Sequence, residues 1–315
     1  MSETTPSDDR QRDNRANTEL LNAELPDVRF ADDAYLRWLY DENPLGPAYQ
    51  EAVDEDGVRM THYALIPQDY RDANGPVPGC YSLNAVTRSG TQRKGYFVTI
   101  AKQVYEKAGN DGRRLATALP NEKSVGAGVK YLGWRLYGQM TIKLVVPTTL
   151  STGGVDTYPV TESFLGSADF EELTRDLDEY PTTGVTNCWT TEQLRWRLRR
   201  PHAHYSVHVS DEIFAVSSRT VQRGVPAAVL LKLLPRGGRR GPLSSKRVVA
   251  AACRHHRTPL ALHGGTNEHV VIRGFEPPKR IRPAPLFMLV RQLDGTIDQD
   301  AVELTTYEFL DVDAF

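Results

Sequence analysis

Cysteine is scarce in this chain of 315 residues. Its three cysteines, Cys80, Cys188 and Cys253, lie far apart, and no Cys-x-x-Cys pair occurs. This spacing excludes a disulfide-stapled scaffold and a zinc ribbon, and it is typical of proteins in a reducing compartment. We therefore predict a cytoplasmic protein.

Long hydrophobic runs are also absent. The longest, residues 227–234 (AAVLLKLL), contains a lysine and is much shorter than the roughly 20 apolar residues that span a bilayer. Residues 1–18 are polar, carry charges of both signs and lack the apolar segment of a signal peptide. We predict a disordered leader over 1–18 and no membrane partner.

Neither sign of charge dominates the chain. It has 38 basic and 40 acidic residues, which gives a formal net charge of −2. Such a chain has no overall field that attracts nucleic acid, so an RNA partner would need a local basic patch. The 40% hydrophobic and 25% charged content is that of a soluble globular protein, long enough for two domains.

The sequence offers little for a metal ion. His202, His204 and His208 lie on one face of a predicted strand, and Glu212 is nearby. Histidines scattered along an extended segment are usually surface groups or hydrogen-bonded groups, so we predict no metal.

Hydrophobic periodicity and turn residues predict a chain of alternating strands and helices. The connector 147–165 is rich in Thr, Ser, Gly and Pro. The predicted helices lie at 32–42, 94–108, 121–134, 168–180, 190–201 and 243–256. The predicted strands lie at 58–67, 79–87, 114–120, 137–146, 204–209, 212–218, 226–234, 259–264 and 303–315.

The chain also echoes itself. A shift of 146 residues takes Arg93-Lys94-Gly95 onto Arg239-Arg240-Gly241 and Asn121-Glu122 onto Asn267-Glu268. Two further echoes flank these, namely Leu36-Arg37-Trp38 with Leu194-Arg195-Trp196 and Leu132-Gly133-Trp134 with Arg273-Gly274-Phe275. This order favours an internal duplication of a small α/β unit. We predict an N-terminal domain over 19–150, a connector with a helix over 151–189 and a degenerate C-terminal domain over 190–315.

The turn before the helix at 94–108 has the chemistry of an anion site. The first amides of a helix have no intrahelical partner, and the helix dipole places about half a positive charge there. Gly95 would let backbone amides approach a diphosphate closely, and Arg93 and Lys94 add positive charge.

These motifs in this order resemble the GNAT superfamily of acyl-CoA-dependent N-acyltransferases. The resemblance covers 30–146 best and rests on Gln92 to Phe97, on Asn121 with Ser124, and on Leu132-Gly133-Trp134. It implies an α+β fold of two tandem GNAT-like units, each a mixed, mostly antiparallel twisted sheet flanked by helices. It also implies a set of donor-binding residues on the first unit: Gln92, Arg93, Lys94, Gly95, Tyr96 and Phe97 at the diphosphate, Asn121 and Ser124 near the pantetheine, and Val86 on the strand beside it.

The implied reaction transfers an acyl group, with acetyl expected, from coenzyme A to an amine of a small biosynthetic intermediate. No metal is implied, and the chain would act as a monomer or homodimer. The sequence departs from the family pattern at Phe97, where Gly or Ala is usual, and at Val129, where a tyrosine acid often stands. Residues 80–89 contain no carboxylate base. Tyr81, Ser82 and His62 are therefore candidates for a proton relay.

Two alternatives remain open on the sequence. Arginine clusters at 195–200 and 236–240 suit RNA phosphates, so the chain could be an aminoacyl-tRNA-dependent transferase with a tandem GNAT-like fold. Arginines that pair with Glu192 and neighbouring acids would instead be structural. The missing acid and base also suit a non-catalytic binding protein that retains the fold.

Overall fold

The computed structural model describes residues 6–25, 31–92, 94–222, 224–237, 242–278 and 284–313, with side chains from residue 13 onward. The α-helices are α1 Pro6–Glu24, α2 Asp33–Tyr40, α3 Tyr96–Asn110, α4 Glu122–Leu132, α5 Glu162–Leu165, α6 Ala168–Thr174, α7 Thr191–Leu198 and α8 Lys246–His256. The strands are β1 Tyr49–Glu55, β2 Val58–Asp72, β3 Gly75–Thr87, β4 Leu115–Ala118, β5 Arg135–Gln139, β6 Ile142–Val145, β7 Asp156–Pro159, β8 Val185–Asn187, β9 Ser206–Val209, β10 Ile213–Gln222, β11 Val225–Pro235, β12 Leu243–Ser244, β13 Ala261–Asn267, β14 Val270–Val271, β15 Phe287–Gln292 and β16 Leu304–Glu308.

Most strands join one mixed sheet. Its order is β5-β15-β4-β3-β2-β8-β16-β13-β11-β10-β9-β7, with β1 beside β2 and β6 beside β13. The pairings are mostly antiparallel, and helices cover the sheet, which is the predicted fold class.

Each half of the sheet contains one β–α–β crossover. In the first unit, β3 leads through α3 to the parallel strand β4, and Gly79 to Ser82 pair with Leu115 to Ala118. In the second, β11 leads through α8 to β13, and Ala228 to Leu230 pair with Ala261 to His263. β4 and β13 begin 146 residues apart (261 − 115), which is the offset of the sequence echoes.

The two units exchange strands. β6 follows the first unit in the chain but pairs with β13 of the second unit. β15 follows the second unit but pairs with β4 and β5 of the first. Each unit thus completes its sheet with a strand from the other half, and pairings cross the boundary that we predicted near residue 150. The predicted domain division itself stays a prediction.

Two helices meet in a symmetric way that fits a duplication. Trp38 of α2 and Trp196 of α7 stack with ring centroids 5.0 Å apart. The Trp38 indole nitrogen donates to the carbonyl of Trp196 at 2.8 Å, and the Trp196 indole nitrogen donates to the carbonyl of Trp38 at 3.0 Å. Reciprocal contacts of this kind are the mark of a twofold relation between two copies.

Several parts of the chain differ from the sequence-based expectation. Helix α1 covers much of the predicted leader and packs on the protein, because Leu20 and Leu21 are fully buried and buried Asn17 accepts a hydrogen bond from Arg59 at 2.6 Å. The predicted strand 137–146 is two strands, β5 and β6, which belong to different units. Asn267 is followed by β14, whereas Asn121 is followed by a helix.

Among the residues that the structure describes, no helix is both long enough and apolar enough to cross a membrane.

Candidate active site

β3 and β4, the parallel strands of the first unit, stop pairing about halfway along β3. Their last pair is Ser82 with Ala118, yet β3 continues along β2 to Thr87. The pairing of β3 with β2 contains a bulge, in which two residues of β3, Asn84 and Ala85, lie opposite the single residue Tyr63 of β2. Asn84 has a positive φ of 56°. A bulge of this kind bends its strand. Beyond Ser82, β3 has no described strand on its β4 side, and this opening at the sheet edge is where Ala85 is exposed.

Helix α3 begins nine residues after the end of β3. Gly95 precedes the helix with φ +81°, and a Cβ there would meet open space, so the conformation and not crowding favours glycine. No side chain caps the first turn of α3. By contrast, α4 is capped, because Asn121 Oδ1 accepts from the amides of Lys123 and Ser124 at 3.0 and 3.2 Å.

The predicted donor residues of this turn are accessible but not free. Gln92 and Lys94 are exposed, and Arg93 lies outside the described residues. The Lys94 ammonium contacts Glu55 at 3.0 Å, and the Tyr96 hydroxyl donates to the same carboxylate. These two hydrogen bonds lower the pKa of Glu55, so a negative charge stands beside the start of α3.

Phe97 has a packing role. Its ring meets Tyr63 edge-on at 5.6 Å on the face of the sheet that α3 covers. Ser82 lies on this face too and donates to the Tyr63 hydroxyl at 2.9 Å. A buried chain continues from Tyr63 to Tyr105 at 3.0 Å, and the Trp134 indole donates to Tyr105 at 2.8 Å.

Tyr81, Val86 and His62 lie on the opposite face of the sheet. Neighbouring residues of a strand point to opposite faces, so Tyr81 and Ser82 do not come together. The Tyr81 hydroxyl is buried 3.5 Å from Arg197, and burial raises the pKa of Tyr81. Val86 is buried and pairs with His62.

His62 lines a polar cavity of about 350 Å³ between α1, α2 and β1. Its ring nitrogens face Gln50 Oε1 at 3.1 Å and the Asn84 carbonyl at 3.4 Å. Burial lowers the pKa of His62 to about 4, so the ring is neutral at pH 7. The cavity lining is mainly polar and includes four carboxylates, from Asp13, Asp41, Glu51 and Asp54.

The second unit has a cavity of its own at the start of α8. It measures about 370 Å³ and has mainly apolar walls, among them Val145, Leu243 and Val249. Lys246 and Arg273 lie at its edge. Arg239, Arg240 and Gly241, which echo the first turn, lie outside the described residues.

The arginines of α7 have partners within the protein. Arg197 and Arg200 are buried against the carboxylate of Asp313 at 3.1 and 2.7 Å. Arg199 pairs with Glu162 at 2.9 Å, and Arg195 pairs with Glu171. The arginine cluster at 195–200 therefore pairs with Asp313, Glu162 and Glu171, and not with Glu192.

No predicted metal ligands gather in the part of the chain that the structure describes, where no group of three or more His, Cys, Asp or Glu is arranged to hold an ion. His202 contacts Asp32, while His208 is buried between Thr157 and Ser217.

No protein-family model and no curated protein sequence matches the chain. Solved structures do. A GCN5-related N-acetyltransferase from Anabaena variabilis superposes on 90% of this chain and 71% of its own, with TM-score 0.60 and 10% identity. A GCN5-related N-acetyltransferase from Kribbella flavida covers 89% and 68%, with TM-score 0.57 and 11% identity.

A third structure, an Enterococcus faecalis protein of unknown function described as a probable N-acyltransferase, covers 90% of this chain and 71% of its own. Its TM-score is 0.56 and its identity is 9%. The chain has the GNAT fold. The resemblance drawn from the sequence motifs is confirmed at the level of the fold.

Sequence reasoning missed two features of this site. Glu55, which engages both Lys94 and Tyr96, belongs to a strand that the patterns did not predict. The bulge at Asn84 was also missed, although asparagine is among the few residues that adopt positive φ readily, so an Asn inside a strand pattern was an available signal.

Proposed function

We propose that the chain is an N-acyltransferase that moves an acyl group from coenzyme A to an amine of a small biosynthetic intermediate. One observation carries the proposal: β3 and β4 separate after Ser82 and Ala118, beside the uncapped start of α3. An extended ligand can pair with the free edge of β3, while its anionic end meets the helix amides.

The donor would lie along residues 83–87 with its diphosphate at Gly95. The missing Cβ of Gly95 and the uncapped first turn support this, as does the exposed Lys94. Glu55 opposes it, because a carboxylate repels phosphate. We therefore propose that the donor competes with Glu55 for Lys94 and Tyr96. Asn121 uses its side-chain oxygen as a helix cap, which leaves its amide nitrogen for the pantetheine end.

The acceptor would enter the polar cavity that contains His62. Arg59 pairs with both Asp13 and Asp54 and balances one of their two charges, and Glu51 pairs with Lys107. Among the described residues, Asp41 has no cationic partner. Its carboxylate accepts a hydrogen bond from the side-chain amide of Asn14 at 3.2 Å. A cavity with a surplus carboxylate favours a positively charged amine, and this property selects the proposed acceptor class.

The chemistry is a nucleophilic substitution at the thioester. The amine nitrogen bonds to the carbonyl carbon, the carbon–sulfur bond breaks, and the sulfur leaves with the electron pair. The nitrogen gives up one proton in this step, and the departing sulfur takes up a proton and leaves as the thiol. An amine with a pKa of about 10.4 must first lose a proton, which costs about 4–5 kcal/mol at pH 7. Neutral His62, which lines the acceptor cavity, is the proposed relay group, with water between its ring and the amine. Ser82 lies on the other face of the sheet, where it donates to Tyr63, so it remains a candidate only from the donor side. Tyr81 remains a candidate only as a buried donor.

The deciding experiment follows thiol release from acetyl-CoA with a panel of amines. The proposal expects release with at least one cationic amine and none with a neutral alcohol of similar size. Binding of acetyl-CoA without turnover across the panel would favour the non-catalytic alternative. The tRNA-dependent alternative has less support, because the α7 arginines are engaged by Asp313, Glu162 and Glu171.

A further inference from the structure

The second unit contains the same opening as the first, at the equivalent place. Its last parallel pair is Leu230 with His263, and β11 then continues along β10 to Pro235. Leu231 of β11 has no partner on β10, so a bulge follows the last parallel pair here too. The two openings are related by the duplication and differ in what they contain.

The opening of the second unit holds a strand of the protein itself. β13 pairs with β11 as far as His263 and with β16 from Gly265 to Asn267, in antiparallel register. β16 therefore takes over the edge of β13 where β11 leaves it. In the first unit, no described strand lies on the β3 side of β4 beyond Ala118.

Side chains at the end of β16 complete the closure. The Leu233 amide donates to Glu308 Oε2 at 3.2 Å, and the Leu233 carbonyl accepts from the Asn267 amide at 2.8 Å. Both backbone groups of Leu233 are thus satisfied within the protein. Along residues 83–87 of β3, no described group from the β4 side makes such a bond.

The closure is charged, yet fully buried. The Lys232 ammonium contacts Asp311 at 2.7 Å and Glu308 at 3.4 Å, and His263 contacts Glu308 at 2.8 Å. All four side chains are at most 1% exposed. Gly264 lies against the ring of Phe309, where any side chain would collide. Buried charges that are mutually paired are costly to separate, so this arrangement resists opening.

We propose that residues 304–311 act as a permanent internal ligand of the second unit, so each chain binds one acyl-CoA, in the first unit only. The inference rests on the proposed function for the identity of the donor. It explains how two similar crossovers serve different ends: one opening receives a substrate, and the other holds the C-terminal segment in place.

Two measurements test this. Calorimetric titration of the full chain with acetyl-CoA should give one site per chain. Lys94→Glu should raise Kd about fivefold or more, while the matched change Lys246→Glu, at the start of α8, should leave Kd unchanged. Two sites per chain, or a loss of affinity in Lys246→Glu alone, would overturn the inference.

Hydrogen exchange decides the point even without donor binding. Amides of residues 304–308 should exchange as slowly as those of β2, both alone and in excess acetyl-CoA. Fast exchange, or protection that falls when acetyl-CoA is added, would contradict a permanent closure. A chain that binds no acetyl-CoA but keeps this protection would refute the proposed function and leave the closed second opening standing.

Discussion

At the scale of single residues, the candidate site depends on what surrounds the start of α3. The sequence predicted a turn at Gly95 before a helix, and the structure has this glycine with a positive φ before the uncapped first turn of α3. The anion site at this turn stays a prediction. The sequence could not predict Glu55, which comes from a strand about forty residues earlier in the chain and meets Lys94 only after β1 pairs with β2. It gave Asn121 a ligand role, while the structure adds a helix cap.

Replacing Gly95 by valine should weaken donor binding. A β-branched residue rarely adopts φ +81°, so the turn must shift and move the first amides of α3. We expect Kd for acetyl-CoA to rise tenfold or more, about 1.4 kcal/mol. The matched control is Gly112→Val, which introduces a similar strain (φ +82°) past the other end of α3. Equal donor affinity in the two variants would remove the turn from the site.

Replacing Glu55 by glutamine should strengthen donor binding. The change removes a negative charge beside the proposed diphosphate and releases Lys94. We expect Kd for acetyl-CoA to fall by about two- to fivefold, the range of an exposed ion pair. Glu51→Gln is the control, because Glu51 lies on the same strand but pairs with Lys107 farther along α3. A higher Kd for acetyl-CoA in Glu55→Gln would contradict this and show that the carboxylate contributes to donor binding.

At the scale of elements, helical periodicity predicted α2, α3, α4, α7 and α8 well, and the parallel strands β4 and β13 were found from their apolar runs. The exchanged strands were harder. β5 and β6 form one continuous pattern in the sequence, and only long-range pairing assigns them to different units. α1 is mostly polar, so hydrophobic periodicity does not predict it. A single sequence also does not show that Asn17 contacts Arg59 of β2.

The α2–α7 contact should behave as a coupled pair. Trp38→Phe and Trp196→Phe each remove an indole donor and part of the stack. We expect each to lower the unfolding free energy by about 1–2 kcal/mol, and the double variant to lose less than the sum, with a coupling of at least 0.5 kcal/mol. Urea denaturation of the unchanged chain, the two single variants and the double variant gives the double-mutant cycle. Additive losses would mean that the reciprocal contact contributes nothing as a pair.

At the scale of the whole molecule, the strand exchange makes the two units dependent on each other. Length and the repeated motifs predicted two units, but a repeat in sequence does not say that each copy folds alone. Separate chains of residues 1–150 and 151–315 would each lack one inner strand, β15 or β6. The cut falls beside Leu150, which is 93% exposed, so it disturbs no packing itself.

We expect each half alone to be unfolded or insoluble, and the two together to form a soluble complex with the circular dichroism of the intact chain. Co-expression followed by size-exclusion chromatography makes the test. A monomeric, folded 1–150 fragment that binds acetyl-CoA would show that the first unit needs no exchanged strand.

Stability should fall in mild acid. Burial lowers the pKa of His62 to about 4, of His256 to about 4 and of His208 to about 3, below the ordinary value of 6.5. Between pH 6.5 and 4 the unfolded chain therefore binds protons that the folded chain refuses, and stability drops as the pH falls. His62 alone should account for about 3 kcal/mol at pH 4 relative to pH 7.

Urea denaturation at pH 7 and pH 4.5 measures this loss. His62→Gln should reduce the pH dependence, because it removes a ring whose pKa burial lowers to about 4. An unchanged pH dependence in His62→Gln would mean that the ring is not held neutral in the fold.

The most direct test of the account is a crystal structure of the chain grown with coenzyme A. We predict the diphosphate against the first amides of α3 at Gly95, and the pantetheine arm beside residues 83–87 of β3, with β16 still paired with the end of β13. Coenzyme A bound in the cavity at the start of α8, with the opening beside β3 closed by neighbouring side chains, would contradict it.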